Sequence, residues 1–263
     1  MKFLYLFFTF ISVQVFSADE AKDKFIQKNP ERILFVGNSY LYYNDSLHNH
    51  FRRMVEEAFP NKIDNLEFKS ATIGGSRLSH HNIDHLLNHK NLSVSKPFDL
   101  VILQGGSGEV LTKKSRNEFA KESRKLIKKI RKAGSEPALY MIHAYSKSHN
   151  KYDPNMINKV IKTYEASGNK NNVLVIPVGL AFENAYKLNQ TVQLHKSFDG
   201  SHPDMLGTYL AACVLYAAIY NRDPTLIDYN YFGTISHEDR DFLQKVAKNT
   251  VEEYYNIKLY SNN

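Results

Sequence analysis

The chain has 263 residues, 43% hydrophobic and 23% charged, which is enough for one substantial core and cramped for two domains. Those proportions exclude wholesale disorder, and the single cysteine, Cys213, excludes an internal disulfide. The formal charge of +7 comes without a zinc-ligand array, an RNP-like motif or an arginine-rich arm, which argues against nucleic acid as a partner.

In chain order, residues 2–17 (KFLYLFFTFISVQVFS) carry one positive charge and an apolar run closed by Ser17, with Val15 two residues before it. That is the layout of a signal peptide, and it is short for a membrane span. The expectation is a leader over 1–17, a mature chain from near Ala18 with net charge +6 and no membrane span, and a secreted or periplasmic bacterial location for one domain over 18–263. Five short apolar runs follow: 33–37, 66–73, 99–104, 138–143 and 173–178. Between and after them lie helical patterns at 45–59, 79–89, 115–133, 155–167, 179–189, 204–220 and 236–255. Strands apolar throughout and separated by helices predict a parallel sheet covered on both faces. The expected fold is therefore α/β, a three-layer α/β/α sandwich around a five-stranded parallel sheet, flavodoxin-like in order. The segment 115–133 is strongly basic opposite Phe119, Leu126, Ile127 and Ile130; it reads as a solvated helix face, with contact to an anionic polysaccharide as the sharper alternative. Cys213 lies in an apolar helical run and reads as a small buried hydrophobe.

Ligands of such sheets bind beyond the carboxyl ends of the strands, and four segments with chemical potential fall there. Gly37-Asn38-Ser39-Tyr40 follows the first strand and presents a hydroxyl at a turn. Gly74 and Gly75 follow the second, where a backbone N–H can approach a ligand. Gln104 to Glu109 (QGGSGE) follows the third. Asp199-Gly-Ser-His202-Pro203 stands just before the helix near 204, where Pro203 suits a first turn. Asp and His three apart can set an imidazole against a serine with a carboxylate behind it. Each segment alone is ordinary turn chemistry; their convergence on one sheet edge is not.

In these four blocks the chain resembles the SGNH (GDSL-like) hydrolases. The match is closest to an uncharacterised bacterial branch with GNS and DGSHP signatures, the latter present as DGSHPDMLGTYLAA at 199–212. The resemblance implies catalytic Ser39, Asp199 and His202, and an oxyanion hole from Ser39, Gly75 and Gln104, with Ser107 as the alternative donor. Asn38 stands where the family usually has Asp, and the Gly-x-Asn-Asp block is replaced by the 104–109 loop. Versions with Gln-Gly resemble carbohydrate acetylesterase branches. The implied activity is a secreted serine esterase acting on O-acyl groups, acetyl among them, of a small-molecule or glycan ester, without a cofactor. A non-catalytic glycan-binding protein on this fold, or a lipase or thioesterase for longer chains, are the alternatives.

Asn38, Tyr40 and His143 are expected to line the substrate pocket, and Tyr42 and Tyr43 offer further aromatic faces to a sugar ring. His81, His85 and His89 recur every four residues, but three histidines over two helical turns do not converge on one ion, and no metal is expected.

Overall fold

The computed structural model describes residues 29–260. The expected leader at 1–17 and the start near Ala18 lie outside the described residues.

Five parallel strands form one sheet: β1 (Arg32–Gly37), β2 (Glu67–Thr72), β3 (Leu100–Gln104), β4 (Glu136–Tyr140) and β5 (Leu174–Ile176). Their order is β2-β1-β3-β4-β5, the flavodoxin-like order expected. Register pairs Gly37 with Thr72, Val36 with Leu103, and Gln104 with Tyr140, so these strand ends lie along one edge. Ile33–Val36 and Leu100–Leu103 are buried throughout, which is why these runs are apolar without alternation.

Helices α1 (Ser39–Tyr42), α2 (Leu47–Ala58), α3 (Ile83–Leu87), α4 (Lys113–Lys132), α5 (Met156–Asn171), α6 (Val178–Leu188), α7 (Met205–Tyr220) and α8 (His237–Tyr255) complete the layers. On one side α7 packs between α2 and α8; on the other, α4 packs beside α5. Thr112 caps α4 by accepting from Ser115 N–H, and the expected apolar residues Phe119, Leu126, Ile127 and Ile130 are buried beneath it. In α7 every residue from Gly207 to Tyr220 is buried, Cys213 included. No described helix is long and apolar enough to cross a membrane.

Two local expectations are corrected. The helix over 79–89 is broken into a 3₁₀ turn at Leu78–His80, the short α3, and a second 3₁₀ turn at His89–Leu92. Asparagines compete with the helical ladder here: Asn82 Oδ1 accepts from His85 N–H, and Asn91 Nδ2 donates to His85 O. Pro203 is not in the first turn of α7; Asp204 caps that helix, and Pro203 pairs instead with His195 in an isolated bridge.

Candidate active site

Ser39 opens α1 directly beyond β1, at the carboxyl edge of the sheet. Asn38 is its extended N-cap, with Oδ1 accepting from Tyr40 N–H at 3.1 Å. Ser39 N–H is therefore a first-turn group, a position with no acceptor inside the helix. The turn needs glycine before it, because a Cβ on Gly37 would lie 2.3 Å from Gln104 Oε1 and 2.7 Å from Leu41 Cδ1.

Ser39 Oγ lies 2.8 Å from His202 Nε2, and His202 Nδ1 is hydrogen-bonded to Asp199 Oδ2. An ionised carboxylate only accepts, so Nδ1 carries the proton and Nε2 is left to accept from the serine hydroxyl. Asp199 Oδ1 also takes the N–H groups of Ser201 at 2.8 Å and His202 at 3.0 Å. Burial acts to raise this carboxyl, but the His202 side chain and then these two N–H groups outweigh it and hold it below the usual carboxylate range. The three residues that the four-block pattern singled out are brought together in one line, with the serine 7% exposed.

A packed layer fixes the loop that carries Asp199 and His202. Between them, Ser201 Oγ meets Tyr40 Oη at 2.7 Å, and Ser201 O accepts from His143 Nε2 at 2.9 Å. His143 is stacked between Tyr40 and Phe182, each 4.3 Å away between ring centroids. Next to it, His195 Nε2 donates to Ala144 O at 2.9 Å while its Nδ1 accepts from Tyr186 Oη at 2.6 Å. Burial, and then the neighbouring His195, keep His143 well below its ordinary range; burial also lowers His195, to about 4. Tyr43 stacks on the His202 ring at 4.4 Å, and Tyr40 meets it edge-on at 5.8 Å.

Asn38, Tyr40 and His143, expected to line the pocket, are buried, and each bonds across to a neighbouring loop: Asn38 to Ser76, and Tyr40 and His143 to Ser201. Gln104 is bonded to backbone on both sides of its amide. Its Oε1 accepts from Asn38 N–H at 2.8 Å, its Nε2 donates to Gly105 O, and it is 1% exposed. Gly75 is exposed in a loop whose next residue, Ser76, accepts from Asn38 Nδ2 at 3.1 Å, so this loop abuts the serine turn. Ser107 Oγ accepts from Tyr145 Oη at 2.9 Å and also acts on the Tyr40 hydroxyl.

His81, His85 and His89 bond to Ser76, Asn91 and Val94 respectively, and no cluster placed to hold a metal ion occurs among the described residues. The roles of Ser201, His195 and Tyr145 were missed. Only Ser201 had a signal in the sequence, its place between the acid and the imidazole.

Solved structures share this arrangement of strands and helices. A DUF4886 family protein from Bacteroides uniformis superposes with a TM-score of 0.66 at 19% identity, over 86% of this chain and 96% of its own. A member of the lipolytic G-D-S-L family from Veillonella parvula gives 0.52 at 18% identity, over 70% and 94%. The fold is that of the SGNH (GDSL-like) hydrolases. An acetyl xylan esterase, AlAXEase, has the same SGNH fold, with a TM-score of 0.55 at 20% identity over 71% of this chain and 98% of its own. No protein-family model and no curated protein matches the chain.

Proposed function

We propose that the chain is a serine esterase that removes O-acyl groups, acetyl among them, from carbohydrate, exported after loss of residues 1–17 and folded as one domain over 18–263. The observation that carries this reading is the unbroken relay from Asp199 through His202 to Ser39 at the sheet's carboxyl edge. Ser39 Oγ attacks the ester carbonyl carbon as its proton passes to His202 Nε2. Asp199 stabilises the imidazolium and holds its orientation. The tetrahedral oxyanion is taken by the N–H groups of Ser39 and Gly75. Gln104, or Ser107 as the alternative, is the further donor that the third loop offers. Collapse expels the alcohol with the proton from His202, leaving an acyl-enzyme. Water activated by His202 then releases the acid and restores Ser39.

The carbohydrate part rests on two supports: the acetyl xylan esterase among proteins of this fold, and exposed aromatic side chains beside both halves of the relay, Tyr42 near Ser39 and Phe198 next to Asp199. One experiment tests the whole reading. A fluorophosphonate probe should label the wild-type chain and not Ser39→Ala, in the periplasmic or medium fraction and on a band shortened by the leader. Turnover of acetyl esters should exceed that of octanoyl esters. Wild-type ester hydrolysis by a clean Ser39→Ala preparation would remove Ser39 from its role.

A further inference from the structure

The cations of α4 divide into two sets. Lys125 pairs with Glu122 at 2.8 Å, Lys129 pairs with Asp84, and Arg131 reaches across to the carbonyls of Asn171 and Asn172 at the end of α5, at 2.8 and 2.6 Å. These three cations are engaged by the protein's own groups. The seam where α4 meets α5 is different. It encloses a groove of about 620 Å³ lined by four cations, Arg116, Lys159, Lys162 and Lys170, and by no carboxylate.

Lys159, Lys162, Ala166 and Lys170 recur at helical spacing and form one stripe of α5. The eleven helical rises from Lys159 to Lys170 make that stripe roughly 16 Å long. Arg116, which also donates to Val110 O at 2.8 Å, faces it from the first turns of α4, and small residues such as Ala120 and Ala166 leave the floor low. Lys159 shares its charge with Asp153; Lys162 and Lys170 have no carboxylate partner among the described residues. Asparagines flank the cations: Asn155, Asn158 and Asn171 at the two ends of the lysine stripe, and Asn117 beside Arg116. A concave surface of one sign focuses its field into the groove, which the convex ridge of α4 does not do.

We propose that this seam binds an acidic polysaccharide, with sugar carboxylates against Arg116, Lys159, Lys162 and Lys170 and sugar hydroxyls against the asparagine amides. The charge that first suggested the basic helix is thus used at its inner border, with α5 supplying most of it. Single-stranded nucleic acid is disfavoured because no aromatic side chain lines the groove to stack a base. A lipid surface needs protruding apolar side chains beside the cations, and this surface is recessed and rich in amides.

The test uses Ser39→Ala chain, so that no probe is turned over, titrated at low salt with polygalacturonate, with dextran, and with single-stranded DNA. The parent is compared with two variants of equal charge change, the seam variant Lys162→Glu/Lys170→Glu and the ridge variant Lys121→Glu/Lys128→Glu, each checked by thermal melting. Polygalacturonate should bind the parent and weaken with salt, and dextran should not bind. The seam variant should lose about tenfold in affinity, or about 1.4 kcal/mol, and the ridge variant about twofold or less. Equal losses in both variants, DNA bound as tightly as polygalacturonate, or no binding of polygalacturonate by the parent would each overturn the proposal. Because binding is read without Ser39, the esterase reading stands or falls separately.

Discussion

Gln104 and Gly37 interlock: the amide of one fills the space that a Cβ on the other would need, and it satisfies the N–H of Asn38, the residue before the serine. A scaffold amide and an oxyanion donor differ in what their loss does. Gln104→Ala leaves the buried Asn38 N–H without its acceptor, so the expected outcome is a loss of about 1–3 kcal/mol in chemical denaturation. Turnover should fall with it, as the serine turn relaxes. Wild-type stability with turnover lowered by about 10²–10³ would instead assign Gln104 to the oxyanion. At this scale the sequence was legible where spacing carries the chemistry, as in Asp199-x-x-His202. It was not legible where direction does. A glutamine, a histidine or a tyrosine at a strand end reads the same whether it faces the ligand or the scaffold. Gln104, His143 and Tyr40 each bond to a group from a segment distant in sequence: Asn38 N–H, Ser201 O and Ser201 Oγ.

The loop at 199–203 is shaped by elements on both sides of it. Gly200 has φ of +64°, and a Cβ there would meet Ser148 Oγ at 2.5 Å and His149 N at 2.6 Å, while its carbonyl accepts from Ser146 N–H at 2.8 Å. The segment after β4 therefore clamps the segment before α7. Gly200→Ala combines an unfavourable backbone conformation with a backbone clash, and should cost about 1–3 kcal/mol. Because Asp199 and His202 flank it, esterase turnover should fall by more than the melting temperature alone would explain; parallel melting and kinetic measurements check this. An alanine variant with normal turnover would mean the clamp does not set the relay. Among elements, the strands were legible because both faces are covered and the apolar runs are continuous, as in Ile33–Val36. The stretch 79–89 misled because its four-residue period was carried by histidines and leucines. The asparagines among them drew the backbone into turns, and no apolar stripe of sufficient length opposed that.

For the molecule as a whole, buried neutral histidines link stability to pH. Burial lowers His143 and His195, the latter to about 4, whereas in the unfolded chain each titrates near 6.5. Below that value the unfolded chain binds protons that the native state refuses. Stability is therefore full above pH 6.5 and is lost as pH falls, by up to about 1.4 kcal/mol per pH unit for each group. For His195 the loss reaches roughly 3 kcal/mol near pH 4. His48, His50 and His81 are lowered by burial and act in the same direction. Asp199 and Asp223, whose carboxyls are depressed, keep stabilising until more acid pH. Glu109, Glu165 and Glu183 are raised by burial and oppose the trend near the carboxylate range, so the clearest window is pH 6.5 to about 5. Urea midpoints should be lower at pH 5.5 than at pH 7 with an unchanged m-value; equal midpoints would mean that these rings are hydrated in solution. The bond between Ser39 and His202 spans 163 residues of chain, which also bears on timing. At about 5–20 residues per second of synthesis, the serine leaves the ribosome roughly 10–30 s before its base exists. On the proposed reading, the hydroxyl is a plain alcohol throughout that interval, and the growing polypeptide cannot attack an ester. A chain that stops short of Asp199 stays that way.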